Sequence, residues 1–311
     1  MNKRVLLIGN SAMDLTANMF KIPSPGNTVV DDGGVAYTPG GSGLNAAVAF
    51  KRLGGCCKFL TKLGADVHGE RLFRYFKELG VDTSLVKVDG DAPTGFSLVI
   101  RERDCENRVV YYPGANERLS LDNVSSAFSE NPDAIFVGLD TEFDTVLFAC
   151  KMASARSIPI FVDATYAQKD VKLSELPDLE IFSLDDSAAL ELTGIRPLGA
   201  DNALRVFLTL QHKINAKYIV LRVGERGVFV YDGKHHSVAP AFPVSKIVDT
   251  SGSADTFNSA LVIMYLETND VRLSARFASA ASALAMTSPG AAVSIPEREE
   301  VQNFMSKYET L

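Results

Sequence analysis

The run Val5-Leu6-Leu7-Ile8 is wholly apolar and ends in Gly9, the pattern of a strand buried on both faces. From about residue 17 to residue 41 the pattern changes. Pro23, Pro25, Pro39 and several glycines interrupt β-forming stretches such as Thr28-Val29-Val30 and Val35-Ala36-Tyr37, which predicts edge strands and turns outside the main core. A helical period then covers residues 45–53 and stops at Gly54-Gly55. Residues 58–63 read as a strand and 69–79 as a helix. Two β runs, 95–101 and 108–112, flank the polar segment 102–107 and predict a hairpin.

Beyond the hairpin, strand and helix periods alternate. Strands are predicted at 134–137, 159–162, 179–182, 218–223 and 228–231, and helices at 143–155, 186–192, 201–211, 254–266 and 272–285, with a last helix from about 297. Such alternation implies an α/β protein with a mainly parallel sheet covered on both faces. The two β-rich segments lack helix partners, so they are expected to form a small separate sheet. No internal repeat or low-complexity linker interrupts the chain, and no segment approaches the ~20 apolar residues of a membrane helix.

Composition narrows the class. In 311 residues, 46% are hydrophobic and 22% charged, the usage of an ordinary globular chain with ample core. Thirty-one Lys and Arg stand against 38 Asp and Glu, a net charge of −7 that argues against a nucleic-acid or anionic-membrane surface but not against a local anion pocket. The cysteines Cys56, Cys57, Cys105 and Cys150 have no CxxC spacing and read as reduced thiols. The run 5–8 is too short for a signal-peptide core, and a cytoplasmic protein is expected.

Three segments carry candidate chemistry. Thr250-Ser251-Gly252-Ser253-Ala254-Asp255 opens a helix with small residues, where unpaired N–H groups and the helix dipole favour an anion such as phosphate. Asp255 in the first turn is either a charge match to that dipole or a general base beside an anion hole. Gly40-Gly41-Ser42-Gly43-Leu44-Asn45 also opens a helix; its glycines allow close backbone approach to a ligand, and Asn45 offers an amide donor and acceptor. It is no dinucleotide motif, since Ala46 stands where the third glycine belongs. Asp14 and Asp140 follow predicted strands at the carboxyl edge of the sheet, where ligands of α/β proteins bind, and either can accept from polyol hydroxyls. His235-His236 would point to opposite faces of a strand, which disfavours a metal site.

In combination these segments resemble the ribokinase-like (PfkB) carbohydrate kinases, the ribokinase branch most closely, over nearly the whole chain. Asp249-Thr250-Ser251-Gly252-Ser253-Ala254-Asp255-Thr256-Phe257 is similar to the family's C-terminal D-T-x-G-A-G-D-x-F motif, and residues 40–45 to its N-terminal glycine motif. Pro113-Gly114-Ala115-Asn116, Leu192-Thr193-Gly194-Ile195, Gly224-Glu225-Arg226-Gly227 and Ser294-Ile295-Pro296 add to the resemblance. It implies a Rossmann-like α/β sandwich with a small β-sheet lid from about 17–39 and 95–112, which often doubles as a homodimer interface. It implies transfer of the γ-phosphoryl group of ATP to a primary hydroxyl of a sugar. Ribose is the first expectation; fructose, a keto-deoxy sugar acid or a nucleoside are others.

By that resemblance Asp14, Gly40, Gly41, Asn45 and Asp140 hold the sugar. Asp255 accepts the proton, and the amides around Gly252, Ser253 and Ala254 stabilise the transferring phosphoryl. Asp185, Arg222, Gly224, Gly227, Gly252 and Ser279 would face the nucleotide. Asp249, Ser251, Ala285, Ser288, Gly290 and Ser294 would surround a monovalent cation, potassium. Four departures stand out: Ser42 replaces the usual lysine, Asp140 a glutamate, Ala254 a glycine and Arg222 a nucleotide-contacting threonine. The family's N-x-x-E motif reads Asp185-Asp186-Ser187-Ala188, so Asp185 or Asp186 would take over the indirect hold on Mg²⁺. The competing expectation is a catalytically weak relative that senses a sugar or nucleotide.

Overall fold

The computed structural model describes residues 3–102, 108–167 and 171–308. The hairpin turn expected at 102–107, with Cys105, lies almost wholly outside the described residues. In chain order the strands are β1 (Arg4–Ile8), β2 (Ala12–Met19), β3 (Val35–Gly40), β4 (Cys56–Leu60), β5 (Lys62–Gly64), β6 (Lys87–Asp89), β7 (Gly95–Glu102), β8 (Arg108–Tyr112), β9 (Ala134–Gly138), β10 (Ile160–Asp163), β11 (Leu179–Asp185), β12 (Ala216–Arg222), β13 (Val228–Tyr231) and β14 (His236–Ala239). The helices are α1 (Ser42–Arg52), α2 (Val67–Glu78), α3 (Leu121–Ala127), α4 (Phe143–Ser154), α5 (Asp186–Thr193), α6 (Ala200–Gln211), α7 (Ser253–Thr268), α8 (Val271–Ala285) and α9 (Arg298–Ser306).

Eight strands form the central sheet in the order β14-β13-β12-β11-β10-β9-β1-β4, parallel from β12 to β4 and antiparallel at the β13–β14 edge. The alternation of strand side chains sorts the core into two layers. Val5, Leu7, Phe136 and Phe161 pack under α1, α7, α8 and α9. Leu6, Ile8, Ile135, Val137 and Val162 pack under α3, α4, α5 and α6. Burial on both faces explains why these strands read as continuous apolar runs.

A second sheet has the order β3-β2-β7-β8, with β2 and β7 parallel and the outer pairs antiparallel. Cross-strand register puts Thr38, Asp14, Ser97 and Tyr111 in one row on one face. The next row, Tyr37, Leu15, Leu98 and Val110, lies on the other. This sheet begins at Ala12, earlier than the proline-rich stretch suggests. Asp14 therefore belongs to a strand of the smaller sheet and not to a loop after β1. The signal was present as alternation of Met13, Leu15 and Ala17 with Asp14, Thr16 and Asn18.

Helix α1 starts three residues before the expected position. Gly41 is its N-cap at φ 101°, so the glycine run that reads as a turn is already helical from Ser42. Strand β11 runs on to Asp185, whose side chain then caps α5. Helix α3, capped by a Ser120–Asn123 capping box, and the edge strand β14 were not anticipated, because both are short and weakly patterned.

Candidate active site

A cavity of about 920 Å³ lies between the carboxyl ends of β1 and β9, the starts of α1 and α7, and the smaller sheet. Asp14, Ser97, Val99 and Tyr111 line it from the smaller sheet, while Asn10, Ser42, Asn45, Asp140, Gly252 and Asp255 line the opposite wall. The sheet edge that topology favours for ligands is thus roofed by the second sheet.

Asp255 sits in the first turn of α7, only 3% exposed. Asn45 Nδ2 donates to its Oδ2 at 2.7 Å, and Oδ1 has no hydrogen-bond partner among the described residues. Burial pushes its carboxyl up to about 8. The Asn45 bond works against that rise, the negative charges of Asp163 and Asp140 add to it, and Arg222 opposes it. Such a carboxyl is poised to exchange a proton near neutral pH.

Asp163, at the end of β10, was missed by sequence reasoning. It is buried, accepts from Thr165 N at 2.9 Å, and burial raises its carboxyl too. Its only legible signal was its place at the carboxyl end of a buried strand, the same signal that marked Asp140. Tyr166, three residues further on, lines the cavity, and the negative charge of Asp255 raises its hydroxyl.

Asp140 is held from two sides. Asn10 Nδ2 donates to its Oδ2 at 2.7 Å, and the Ser42 hydroxyl makes a very short hydrogen bond to the same oxygen. Burial pushes Asp140 up to about 6, with the Ser42 bond working against that rise. Ser42 thus anchors the acid from the start of α1. Asp14 is raised by burial, and its carboxylate lies on the backbone of Gly40, where a Cβ would come within 2.0 Å of Oδ2. Glycine at position 40 is a steric condition for that packing.

At the start of α7, Gly252 is the N-cap at φ 72°, and a Cβ there would meet the Ala291 backbone at 3.1 Å. The positive φ falls on Gly252, while Ala254 is inside the helix, where alanine is the most favourable residue. Ser253 Oγ donates to Thr250 O at 2.7 Å and Ser282 Oγ to Ser253 O at 3.0 Å, so the α7 start is pinned to its own turn and to α8.

Of the residues expected around the nucleotide and Mg²⁺, Gly252 lines the cavity, while Asp185, Asp186, Arg222, Gly224, Gly227 and Ser279 stand outside its lining. Arg222 Nη2 donates to Thr165 Oγ1 at 2.7 Å, lies 3.9 Å from Asp185 Oδ2, and the guanidinium stacks over Phe257. Asp185 Oδ1 caps α5 by accepting from Ala188 N at 2.8 Å, whereas Asp186 is exposed. Gly224 and Gly227, at φ 48° and 87°, frame the turn after β12, and Ser279 is buried in α8. No group of three metal-ligating side chains occurs among the described residues.

Around the expected monovalent cation, Asp249 and Ser251 face Arg101 of the smaller sheet, and Gly290 N donates to Asp249 Oδ2 at 3.0 Å. Ser294 Oγ donates to Ala291 O, Ala285 is buried at the end of α8, and Ser288 is exposed.

The profile of the pfkB family carbohydrate kinases matches residues 2–298. The chain belongs to that family. As a pfkB kinase it is a phosphotransferase. It is 28% identical to a ribokinase of Haemophilus influenzae, over 98% of this chain and 99% of that protein. It is 29% identical to a ribokinase of Bacillus subtilis, over 98% and 100%. The solved structure of an Arabidopsis thaliana ribokinase complexed with ribose and ATP superposes with a TM-score of 0.87 at 22% identity, covering 98% of this chain and 99% of that one. The shared fold has the mainly parallel central sheet and the smaller sheet described above. No helix among the described residues is long and apolar enough to cross a membrane.

Proposed function

We propose that this pfkB kinase transfers the γ-phosphoryl group of ATP to a primary hydroxyl of a sugar, with ribose as the substrate. The observation that carries this reading is Asp255. It is a buried carboxyl at the start of a helix, lining the cavity beside Gly252, with one oxygen bound to Asn45 and the other without a hydrogen-bond partner among the described residues. Ribose is supported by the ribokinases that match this chain end to end.

In this reading Asp14, Asn45 and Asp140 accept or donate to sugar hydroxyls and fix the ring against the wall of α1. Asp255 takes the proton of the attacking hydroxyl as the bond to phosphorus forms. The N–H groups at the α7 start face the charge that grows on the phosphoryl oxygens, and the helix dipole adds to their effect. Mg²⁺, when bound with ATP, neutralises phosphate charge, and Asp186 is the exposed carboxylate free to hold it through water. The smaller sheet excludes water from above. Ala254 lends no support to the sensor alternative, because its position is helical.

The outer face of the smaller sheet carries Val35, Tyr37, Val110 and Tyr112, all exposed. We infer that a second copy of this chain covers them, as an exposed apolar sheet face favours. A coupled assay of ADP release across pentoses, hexoses, keto-deoxy acids and nucleosides, with Mg²⁺, tests the reading. Ribose-dependent ADP formation is expected. A panel with no acceptor at all would overturn the kinase reading, and preference for another acceptor would overturn ribose.

A further inference from the structure

Asp249 lies just before the turn 250–253 that leads into α7. Its side chain is 7% exposed and is gripped on three sides. Oδ1 accepts from Ser251 N at 2.9 Å, Oδ2 accepts from Gly290 N at 3.0 Å, and Oδ2 also lies 3.1 Å from Arg101 Nη2. The same Nη2 is 3.4 Å from Ser251 Oγ. Burial would raise the Asp249 carboxyl, but the Ser251 and Gly290 amides and the Arg101 charge hold it below its ordinary range. Arg101 comes from β7, on the face that also carries Ser97 and Val99 towards the cavity. A single guanidinium therefore ties the roof of the cavity to the turn that sets the phosphate-facing amides.

The side-chain oxygens here do not fit a potassium ion. The Asp249 carboxylate is already neutralised, and the side-chain oxygens of Asp249 and Ser251 are turned to a guanidinium. Ser294 Oγ is spent on Ala291 O. A cation bound to the Asp249 and Ser251 side chains would crowd the Arg101 guanidinium that already contacts both, an unfavourable like-charge approach.

We propose that Arg101 is a positioning residue for the anion hole: its guanidinium does the work of a bound monovalent cation, fixing Asp249 and the turn 250–253 when the smaller sheet closes over the cavity. The proposal rests on the kinase reading for its catalytic consequence, but not for the ion pair itself. Phosphoryl transfer by this chain is then independent of potassium.

The test compares the full-length protein with Arg101→Ala and Arg101→Lys, in potassium chloride and in tetramethylammonium chloride at matched ionic strength. The unaltered protein is expected to turn over equally in both salts. Arg101→Ala is expected to lose about 10- to 100-fold in kcat, the usual effect of deleting a charged hydrogen-bond partner. Its KM for ATP should rise and its sugar KM stay unchanged. Arg101→Lys should recover most of the loss, and potassium should partly restore Arg101→Ala. Potassium activation of the unaltered protein, or a loss that neither lysine nor potassium restores, would overturn the proposal. Thermal melting in the two salts decides the matter without activity, so that failure to find an acceptor sinks only the kinase reading. Potassium should raise the Tm of Arg101→Ala and leave the unaltered protein unmoved. An equal rise in both, or no rise in the variant, rejects the assignment.

Discussion

Asn45 Nδ2 donates to Asp255 Oδ2 at 2.7 Å, so the first turns of α1 and α7 meet at the carboxyl on which the proposed chemistry turns. The bond holds one oxygen of Asp255 and leaves Oδ1 for the attacking hydroxyl. Asp255→Asn keeps the shape and removes the base. Turnover is expected to fall about 10²- to 10⁴-fold, the usual worth of general-base assistance. Sugar affinity, read by calorimetry, should change little.

The same substitution should stabilise the fold at neutral pH. Asp255 is raised to about 8 when folded, while the unfolded chain ionises at the ordinary carboxylate pKa near 4. Below that range both states hold the proton. As pH climbs, the unfolded state releases it first, so stability is lost progressively until pH passes about 8. Tm of the unaltered protein should therefore fall from pH 5 to pH 8, and Asp255→Asn should flatten that slope. An unchanged slope would show that the carboxyl is not raised.

A base raised to about 8 also predicts how rate follows pH. In the free enzyme, kcat/KM should increase with pH towards a plateau, with its midpoint near 8. Asp163 raises Asp255 through its charge, so Asp163→Asn should move that midpoint to lower pH. Steady-state kinetics between pH 5.5 and 9.5 reads the shift. A midpoint that moves upward would mean Asp163 acts chiefly through its hydrogen bonds.

Asp140 is held by Asn10 and Ser42 and faces the cavity. Asp140→Asn removes a charged acceptor but keeps the size. Sugar KM is expected to rise about 10- to 100-fold, the effect of losing a hydrogen bond to a charged group, with KM for ATP unaltered. Equal changes in both constants would place Asp140 away from the sugar.

The altered motif at 185–188 divides into two roles. Asp185 caps α5, and asparagine is as good a cap, so Asp185→Asn should leave both stability and the Mg²⁺ requirement nearly unchanged. Asp186 is exposed, and Asp186→Asn should raise the Mg²⁺ concentration needed for half-maximal rate. Ala188 is 2% exposed, so Ala188→Glu should bury an unpaired charge and lower Tm instead of improving activity. Mg²⁺ titration of turnover, with melting curves, separates the three.

The elements with strong periods were legible in the chain because burial dictates them. The two-faced strands around Val5, Phe136 and Phe161 and the start of α7 near residue 253 follow from apolar pattern and small-residue placement, whereas α1 begins at Ser42, three residues before its apolar period shows. Asp14 was legible as a site residue but not as part of the smaller sheet, because the alternation over 12–19 contains few strong β-formers and runs straight into the stretch broken by Pro23 and Pro25. Asp163 and Arg101 were not legible. Each is an ordinary strand-end residue in sequence, and its role depends on partners far along the chain, Asp255 and Asp249, that only the fold brings near.

In the smaller sheet β2 is a central strand, and its parallel partner starts at Gly95, paired with Ala12. No local hairpin can supply that pairing, since α1, β4 and α2 intervene. The order of assembly follows: the layer of β1, α1 and β4 must form before β2 and β7 can meet, because loop closure over that distance is costly until the scaffold holds the ends. The roof of the cavity is therefore expected to close only on a formed scaffold, and stopped-flow refolding should show its closure no earlier than the gain of helix.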